Sequence, residues 1–385
     1  MKRILTVFGT RPEAIKLAPV ILELNKLAPD FESIVCVTAQ HRMMLDQILN
    51  WFKIQPRFDL DLMAPNQGLS EFSSRVLTAV SRVIELVRPD VVIVQGDTTT
   101  VAMTALAAFY QKVPVAHVEA GLRTQNPYNP FPEEINRRVT SVLSSIHFAP
   151  TQRAADALSA EKVKGHCIFV TGNTVVDALQ MTLKRKVVLD LGFRMDGLRI
   201  ILVTAHRRES FGAPFESLCL ALKDLVERKP DIIIVYPVHL NPNVHRTVHK
   251  ILAGQPRIHL IDPLRYEQFC HLMARAYLIL TDSGGVQEEA PILGKPTLVM
   301  RETTERPEAV EFGTARLVGT DRCRIVEAAI HLMSNEEAYR KMARAGSPFG
   351  DGQAAKRIVS ILRSTLLPTP IQPIKKPIKI GAVAS

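Results

Sequence analysis

The chain has 385 residues, of which 46% are hydrophobic, and its 48 Lys and Arg exceed its 38 Asp and Glu to give a formal charge of +10. A chain of this length normally forms two domains, and its apolar fraction excludes a protein that is disordered throughout. The positive charge favours an anionic partner such as nucleic acid, a phosphorylated substrate or an acidic membrane surface, without choosing among them.

Two further features bear on location and covalent structure. No uncharged apolar run approaches the roughly 18 residues of a membrane span, and the first residues lack the long apolar region of a signal peptide, which predicts a cytoplasmic protein. The five cysteines are odd in number and never closely spaced, so we expect free buried thiols rather than disulfides or a zinc site. They are Cys36, Cys167, Cys219, Cys270 and Cys323.

Apolar, β-rich runs alternate with helical stretches along nearly the whole chain. In the first half these runs cover residues 4–8, 33–38, 91–95 and 113–118. After a basic, irregular segment at 184–199 they restart, at 200–204, 232–236, 258–261, 278–281 and 297–300. The alternation predicts parallel sheets built from right-handed crossover units, and its restart predicts two doubly wound α/β domains, at 1–172 and 173–350.

The end of the chain is predicted to form a helix and a tail. Residues 351–366 have the period of an amphipathic helix. Residues 367–385 contain four prolines and no acidic side chain, and Lys375, Lys376 and Lys379 give them a charge of +3. We expect this segment to be a disordered, basic, Pro-rich extension.

Charged, glycine and hydroxyl residues follow nearly every apolar run. In open parallel sheets, ligands bind outside the carboxyl ends of the strands, so these post-strand residues are the candidates for function. Both halves of the chain contribute them, which places the predicted site in a cleft between the two domains.

The first candidate motif follows the first strand, at residues 9–13 (GTRPE). A glycine after a strand lets backbone amides approach a ligand, and Arg11 and Lys16 can project toward an anion. The alternative is an ordinary strand-to-helix turn with solvated charges. Neither a Gly-x-Gly-x-x-Gly nor a Walker lysine motif is present, which disfavours nicotinamide and nucleoside triphosphate cofactors.

A second motif, DSGGVQEE at 282–289, has the pattern of a phosphate cradle. Ser283, Gly284 and Gly285 stand where a helix begins, so free amides and the helix dipole face a diphosphate. Glu289 is placed to accept hydrogen bonds from ribose hydroxyls, and Arg306 follows the next strand and can close over the phosphates. A plain Ser-capped helix and a solvated loop are the alternatives.

Three carboxylates and two histidines form a third group. Asp97 and Glu119 directly follow very apolar strands, so partial burial should raise their pKa values and suit them to proton transfer, and Glu133 joins them. Each carboxylate has the alternative of a helix cap or first-turn acid. His206 and His239 follow strands of the second half and are candidate phosphate contacts. Metal-ligand spacing is absent, so no metal is predicted.

These motifs together closely resemble the non-hydrolysing UDP-N-acetylglucosamine 2-epimerases over residues 1–365. The most specific strings are FGTRPEAIKLAPVI, VQGDTTT, HVEAGLRT, PEEINRR, TGNTVVDAL, VTAHRRES, YPVH, LTDSGGVQEEAP and TTERPEAVEFGT. The resemblance implies two Rossmann-like domains facing across a cleft in the glycosyltransferase-B arrangement, with the C-terminal helix returning to the first domain. It also implies a homodimer without cofactor that serves bacterial surface polysaccharide synthesis.

The reaction implied is reversible conversion of UDP-N-acetylglucosamine to UDP-N-acetylmannosamine. A base removes the proton at carbon 2 while UDP leaves carbon 1, and UDP then adds back to the bound glycal. By resemblance, the acid/base carboxylates are Asp97, Glu119 and Glu133, and His206 assists UDP departure. The UDP-binding positions implied are Arg11, Lys16, Phe269, Ser283, Gly284, Gly285, Glu289 and Arg306.

Some bacterial relatives bind a second substrate molecule as an activator, and Gln40, His41, Arg75 and His239 match that pattern. Met43 departs from it, because a thioether cannot replace the hydrogen bonds of an amide. Two other enzyme classes stay open: a hydrolysing epimerase and a glycosyltransferase of the same fold. A nucleic-acid-binding role is disfavoured because the loop carboxylates would repel a polyanion.

Overall fold

The computed structural model describes residues 1–39, 42–64, 67–195, 197–344 and 346–367, leaving aside the side chain of Arg208. The predictions made for Gln40, His41 and the tail at 368–385 therefore lie outside the described residues. Among the residues described, no helix combines the length and the hydropathy needed to cross a membrane.

In the described part of the chain the strands form two parallel sheets, and the first has seven strands in the order β3-β2-β1-β4-β5-β6-β7. Its strands are β1 (Lys2–Phe8), β2 (Phe31–Val37), β3 (Phe58–Asp59), β4 (Val91–Gln95), β5 (Val115–Val118), β6 (Ile146–Ala149) and β7 (Ile168–Val170). The helices of this half are α1 (Arg11–Lys26), α2 (Arg42–Phe52), α3 (Leu69–Val87), α4 (Thr99–Tyr110), α5 (Glu133–Leu143), α6 (Gln152–Ala160) and α7 (Thr174–Leu183).

The second sheet has six parallel strands in the order β10-β9-β8-β11-β12-β13. These are β8 (Arg199–Thr204), β9 (Ile232–Pro237), β10 (Ile258–Ile261), β11 (Leu278–Thr281), β12 (Thr297–Val299) and β13 (Ala315–Leu317). The remaining helices are α8 (Ala213–Arg228), α9 (Pro242–Leu252), α10 (Tyr266–Arg275), α11 (Gly284–Glu289), α12 (Pro307–Glu311), α13 (Arg322–Ser334), α14 (Glu336–Ala343) and α15 (Ala354–Leu366). The predicted class of two doubly wound α/β domains is confirmed.

The central strands are apolar along their whole length because helices cover both faces of each sheet. In β4 all five residues are buried, and β1 is buried from Ile4 to its end. One apolar cluster is continuous from the first sheet to the second, and includes Ile4 and Leu17 on one side and Ile200 and Tyr266 on the other. The two domains therefore share part of their core.

Two chain segments cross between the domains side by side. The amide of Asn173, just before α7, donates to the carbonyl of Phe349 across 2.7 Å. Gly172 and Gly350 both have positive φ and lie so close that a Cβ on Gly350 would stand 3.2 Å from the Cα of Gly172. After this crossing α15 packs against α1 and α7, which returns the C-terminal helix to the first domain.

The buried side chain of Asp177 in α7 holds the start of α15. Its carboxylate accepts hydrogen bonds from the amides of Ala354 and Ala355, at 3.2 and 3.0 Å. These are amides that a helix start leaves without an intrahelical partner. A carboxylate contributed by another helix thus fixes where the last helix begins.

The cysteines are free thiols, and Cys36, Cys219 and Cys270 are buried as expected. Burial raises the pKa values of Cys36 and Cys219 to about 12, so both are inert thiols. The expectation of burial is wrong for Cys323, which is exposed in the first turn of α13, and Cys167 is only half-buried.

Candidate active site

The carboxyl ends of the two sheets face each other, and four charged side chains meet between them. Lys16 Nζ lies 2.5 Å from Glu119 Oε2 and 3.1 Å from Glu288 Oε2, and Arg306 forms an ion pair with Glu288 and lies 3.8 Å from Glu119. Lys16 and Glu119 belong to the first domain, Glu288 and Arg306 to the second. We call these four residues the cleft cluster.

The cleft cluster is buried and electrically balanced. Each of its side chains is at most 12% exposed, and two cations face two carboxylates. Burial raises the pKa of Glu119, against the opposing charge of Lys16. Burial also acts on Glu288, but the charges of Arg306 and Lys16 hold its pKa below the ordinary value. Buried charges are tolerated only when they are paired, so each member depends on the others.

A tight turn after β5 aims Glu119 into the cleft. Glu119 has a left-handed φ of 64°, which is unfavourable for a residue with a side chain. Two residues later, Gly121 has a φ of 94°, and a Cβ there would stand 2.2 Å from the carbonyl oxygen of Ala154. Gln95 at the end of β4 donates to Glu119 across 2.8 Å. Such local strain is characteristic of functional sites.

Asp97 and Glu133 lie close together but differ in their partners. Arg137 holds Asp97, with Nη2 2.7 Å and Nε 2.8 Å from Oδ2, and Asn136 donates to the backbone oxygen of Asp97. One oxygen of Glu133 is buried and has no hydrogen-bond partner within the described part of the chain, and burial, with the nearby charge of Asp97, raises the pKa of Glu133. Glu133 is also the first residue of α5, so its position fits the helix-start alternative as well.

The neighbouring Glu134 shows what a structural carboxylate looks like. It is fully buried, accepts from the amide of Thr124 and pairs with Arg137 and Arg138. These partners lower its pKa against the effect of burial. Glu134 therefore fixes the loop before α5, while Glu133 keeps an unused oxygen.

The predicted phosphate cradle is the start of α11. Ser283 is the N-cap residue, but its side chain makes no capping hydrogen bond, so the Ser-capped alternative does not account for it. A Cβ on Gly284 would stand 3.9 Å from Arg207 Nη2 and 4.0 Å from Arg306 Cζ. Two guanidinium groups thus lie beside Gly284, as an anion site requires, together with the carboxylate of Glu305, whose Oε2 would also stand 4.0 Å from that Cβ.

Asp282 ties this cradle to the loop that carries His206. Asp282 Oδ2 accepts from the amides of His206 and Arg207, at 2.6 and 2.7 Å, and Oδ1 lies 3.4 Å from His206 Nδ1. Burial lowers the pKa of His206, against the charge of Asp282. His239 stacks on His206 with ring centroids 5.2 Å apart, so this predicted activator residue lies beside the cradle.

Four other predicted residues lie on α1, α3, α10 and α11. Glu289 is buried, with Oε1 3.4 Å from the hydroxyl of Tyr266, and burial raises its pKa to about 7. Phe269, one turn along α10, is half-buried against the core. Arg11 begins α1 and is close enough to Glu289 to oppose that rise in pKa. Arg75 is half-buried on α3.

Comparison with known proteins assigns this site to a family. A family model described as UDP-N-acetylglucosamine 2-epimerase matches residues 23–363. A protein of that name from Escherichia coli O157:H7 is 54% identical over 371 residues, which cover 94% of this chain and 98% of the relative. A second, from Yersinia pestis, is 53% identical over 94% of this chain and 98% of its own length.

The chain belongs to the UDP-N-acetylglucosamine 2-epimerase family. A crystal structure of UDP-GlcNAc 2-epimerase from Neisseria meningitidis bound to UDP-GlcNAc superposes with a TM-score of 0.88 at 49% identity, covering 94% of this chain and 99% of that one. The family predicted from the motifs and the enzyme class, an isomerase, are confirmed.

Three residues of this epimerase-family site were not predicted from the sequence. Glu288 pairs with both cations of the cleft cluster, Asp282 orients His206, and Arg137 holds Asp97. Each lies inside a quoted motif: Glu288 and Asp282 are adjacent to predicted residues, and Arg137 follows the predicted Glu133 by four residues, one turn along α5. Among the described residues, no group of three or more His, Cys, Asp or Glu side chains is arranged to hold a metal ion.

Replacing Glu288 by Gln should destabilise the protein. The isosteric change removes one carboxylate from between two buried cations. We expect the free energy of unfolding to fall by about 3 kcal/mol, with Glu119 left as the cluster's one carboxylate beside both cations. Denaturant unfolding measures the change. Glu336→Gln is the control, because its pair with Arg340 is exposed and should contribute under about 1 kcal/mol. Equal stability of the two variants would contradict the role given to the cleft cluster.

Proposed function

We propose that this protein interconverts UDP-N-acetylglucosamine and UDP-N-acetylmannosamine by eliminating UDP to a bound glycal and adding it back. The observation that carries the proposal is the cleft cluster. In it the carboxylate of Glu119, a candidate acid/base group, lies 2.5 Å from Lys16 and 3.8 Å from Arg306, and these two cations are suited to a diphosphate. Proton transfer at carbon 2 and departure of UDP from carbon 1 can then occur within one buried space.

The second domain supplies the UDP site in this proposal. The amides at Ser283, Gly284 and Gly285 and the guanidinium of Arg306 face the diphosphate, joined by Arg207. From the first domain, Arg11 and Lys16 reach the same region. Glu289 takes the ribose hydroxyls and Phe269 lies beside the uracil. Relatives support this ligand, since a Methanocaldococcus jannaschii enzyme is described in complex with UDP-GlcNAc and UDP.

The first domain supplies the acid/base groups. Asp97, Glu119 and Glu133 are the candidates for removing and returning the proton at carbon 2. Glu133 has a raised pKa and an oxygen without a partner, which suits a group that carries a proton for part of the cycle. His206, fixed by Asp282, lies next to the cradle and is placed to assist the departing phosphate.

Product analysis in deuterated water tests the proposed reaction against the hydrolysing and glycosyl-transferring alternatives. We expect purified protein given UDP-N-acetylglucosamine to yield an equilibrium mixture of the two nucleotide sugars, with deuterium at carbon 2, because the removed proton exchanges with solvent. Nuclear magnetic resonance reads both results. Stoichiometric free UDP and sugar would exclude the non-hydrolysing reaction, and epimerised product without deuterium would exclude proton abstraction.

A homodimer is part of the same proposal, and an exposed apolar surface supports it. Helix α4 packs between α3 and α5, and the three helices end on the same side of the sheet because all their strands are parallel. Leu86, Phe109, Tyr110 and Val142 stand at these ends, each at least 58% exposed. Contiguous exposed apolar surface typically marks a protein interface, and identical subunits pair through the same patch.

Val142→Asp should convert the dimer to a monomer, because it places a charge within a surface that the partner copy would bury. Light scattering coupled to size-exclusion chromatography measures the mass. Val188→Asp is the matched control, since Val188 is equally exposed, at 84%, but lies between α7 and β8. A dimer that survives Val142→Asp, or a monomeric wild type, would contradict the assignment.

A further inference from the structure

One buried carboxylate, Glu13, joins two loops of the site. Its Oε2 accepts hydrogen bonds from the amide of Gly9 at 3.2 Å, the amide of Thr10 at 2.8 Å and the hydroxyl of Thr10 at 2.6 Å. Its Oε1 accepts from the hydroxyl of Thr98 at 2.9 Å. Glu13 is only 2% exposed. The loop after β1 and the loop after β4 are thus held by the two oxygens of one side chain.

Helix capping accounts for the three contacts of Oε2 but not for the contact of Oε1. Thr10 and Glu13 form a capping box at the start of α1, which explains the bonds to Oε2. The bond from Thr98 spans 85 residues and has no part in starting α1. Burial raises the pKa of Glu13 to about 7, whereas an exposed carboxylate would cap the helix without that penalty. The buried position is needed for the second contact.

The two loops carry different parts of the proposed chemistry. Arg11 and Lys16 stand on α1, the helix that Glu13 helps to start. Asp97 immediately precedes Thr98, which also caps α4 by accepting from the amide of Val101 at 3.3 Å. Glu13 therefore links the helix that carries Arg11 and Lys16, the proposed UDP-binding cations, to the loop that carries Asp97, a proposed acid/base carboxylate.

His117 holds the loop after β4 at a second point. His117 Nε2 donates to the carbonyl oxygen of Gly96 across 2.7 Å, and burial lowers the pKa of this histidine to about 3, so the ring stays neutral. With Gly96 held by His117, the hydroxyl of Thr98 is the point at which the loop is joined to α1. Arg137 and Asn136 tie Asp97 to α5 but not to α1, so loss of that hydroxyl should let Asp97 shift relative to Arg11 and Lys16.

We propose that Glu13 is a positioning residue that sets Asp97 against the UDP-binding cations by accepting the hydroxyl hydrogen of Thr98. The role rests on the proposed epimerase reaction. It predicts that weakening the contact from the Thr98 side lowers turnover while leaving the affinity for UDP nearly unchanged, since α1 still forms and still carries Arg11 and Lys16.

Two variants of Thr98 separate this role from helix capping. Thr98→Asp keeps a good N-cap for α4 but sets an acceptor against Glu13, whereas Thr98→Ser keeps both the cap and the donor. We expect Thr98→Asp to lower kcat roughly 10- to 100-fold, the effect of a small misplacement of a reacting group, with the Kd for UDP changed less than about 3-fold. Thr98→Ser should retain most of the turnover. Glu13→Ala should reduce both kcat and UDP affinity.

Hydrogen exchange gives a readout that does not depend on the reaction. If Glu13 joins the loops, Thr98→Asp should speed amide exchange at residues 9–13, far along the chain from the substitution, and Thr98→Ser should not. Unchanged exchange there, wild-type kcat in Thr98→Asp, or equal loss in Thr98→Ser would each overturn the positioning role. If the wild type epimerises nothing while Thr98→Asp still speeds exchange at residues 9–13, the proposed function would be contradicted and the link between the loops would stand.

Discussion

The ion pairing between the two domains is the constraint on which the rest of the site depends. Lys16 and Glu119 from one sheet and Glu288 and Arg306 from the other are buried together, each with a side chain at most 12% exposed. Charges in such a place must be matched in number and in geometry. That arrangement constrains the relative position of the domains, the strained turn at Glu119 and the start of α11. The same cations are the natural partners of a diphosphate.

The topology explains how residues so far apart in the chain reach one place. In a parallel sheet every strand ends at the same edge, and two such sheets that face each other bring two sets of post-strand residues together. Three features hold the two sheet edges in position relative to each other. They are the paired chain crossing at Gly172 and Gly350, the capping of α15 by Asp177 and the continuous apolar cluster. The two sheets therefore position the site, and the candidate functional residues lie in short loops at the sheet edges.

Much of the fold and of the candidate site was predicted from the sequence, and the site residues that were not predicted were missed for physical reasons. The two sheets follow from apolar runs that alternate with helical stretches, but β3, β6, β7 and β13, which have two to four residues, were not among the runs identified. Lys16, Glu119 and Arg306 were predicted because they follow strands. Glu288 was missed because only the three-dimensional placement of α11 shows which of two adjacent glutamates faces the other domain. Glu13 was read as part of a turn because its partner Thr98 is 85 residues away.

A crystal structure with UDP tests the central claim most directly. The diphosphate should lie at the start of α11, with its oxygens about 3 Å from the guanidinium of Arg306 and from the amides of Gly284 and Gly285, and with Lys16 turned from a carboxylate toward the phosphate. Such a complex would show that the cleft cluster is the diphosphate site in its ligand-free form. A diphosphate bound elsewhere, with Lys16 and Arg306 still paired to Glu288, would contradict the account.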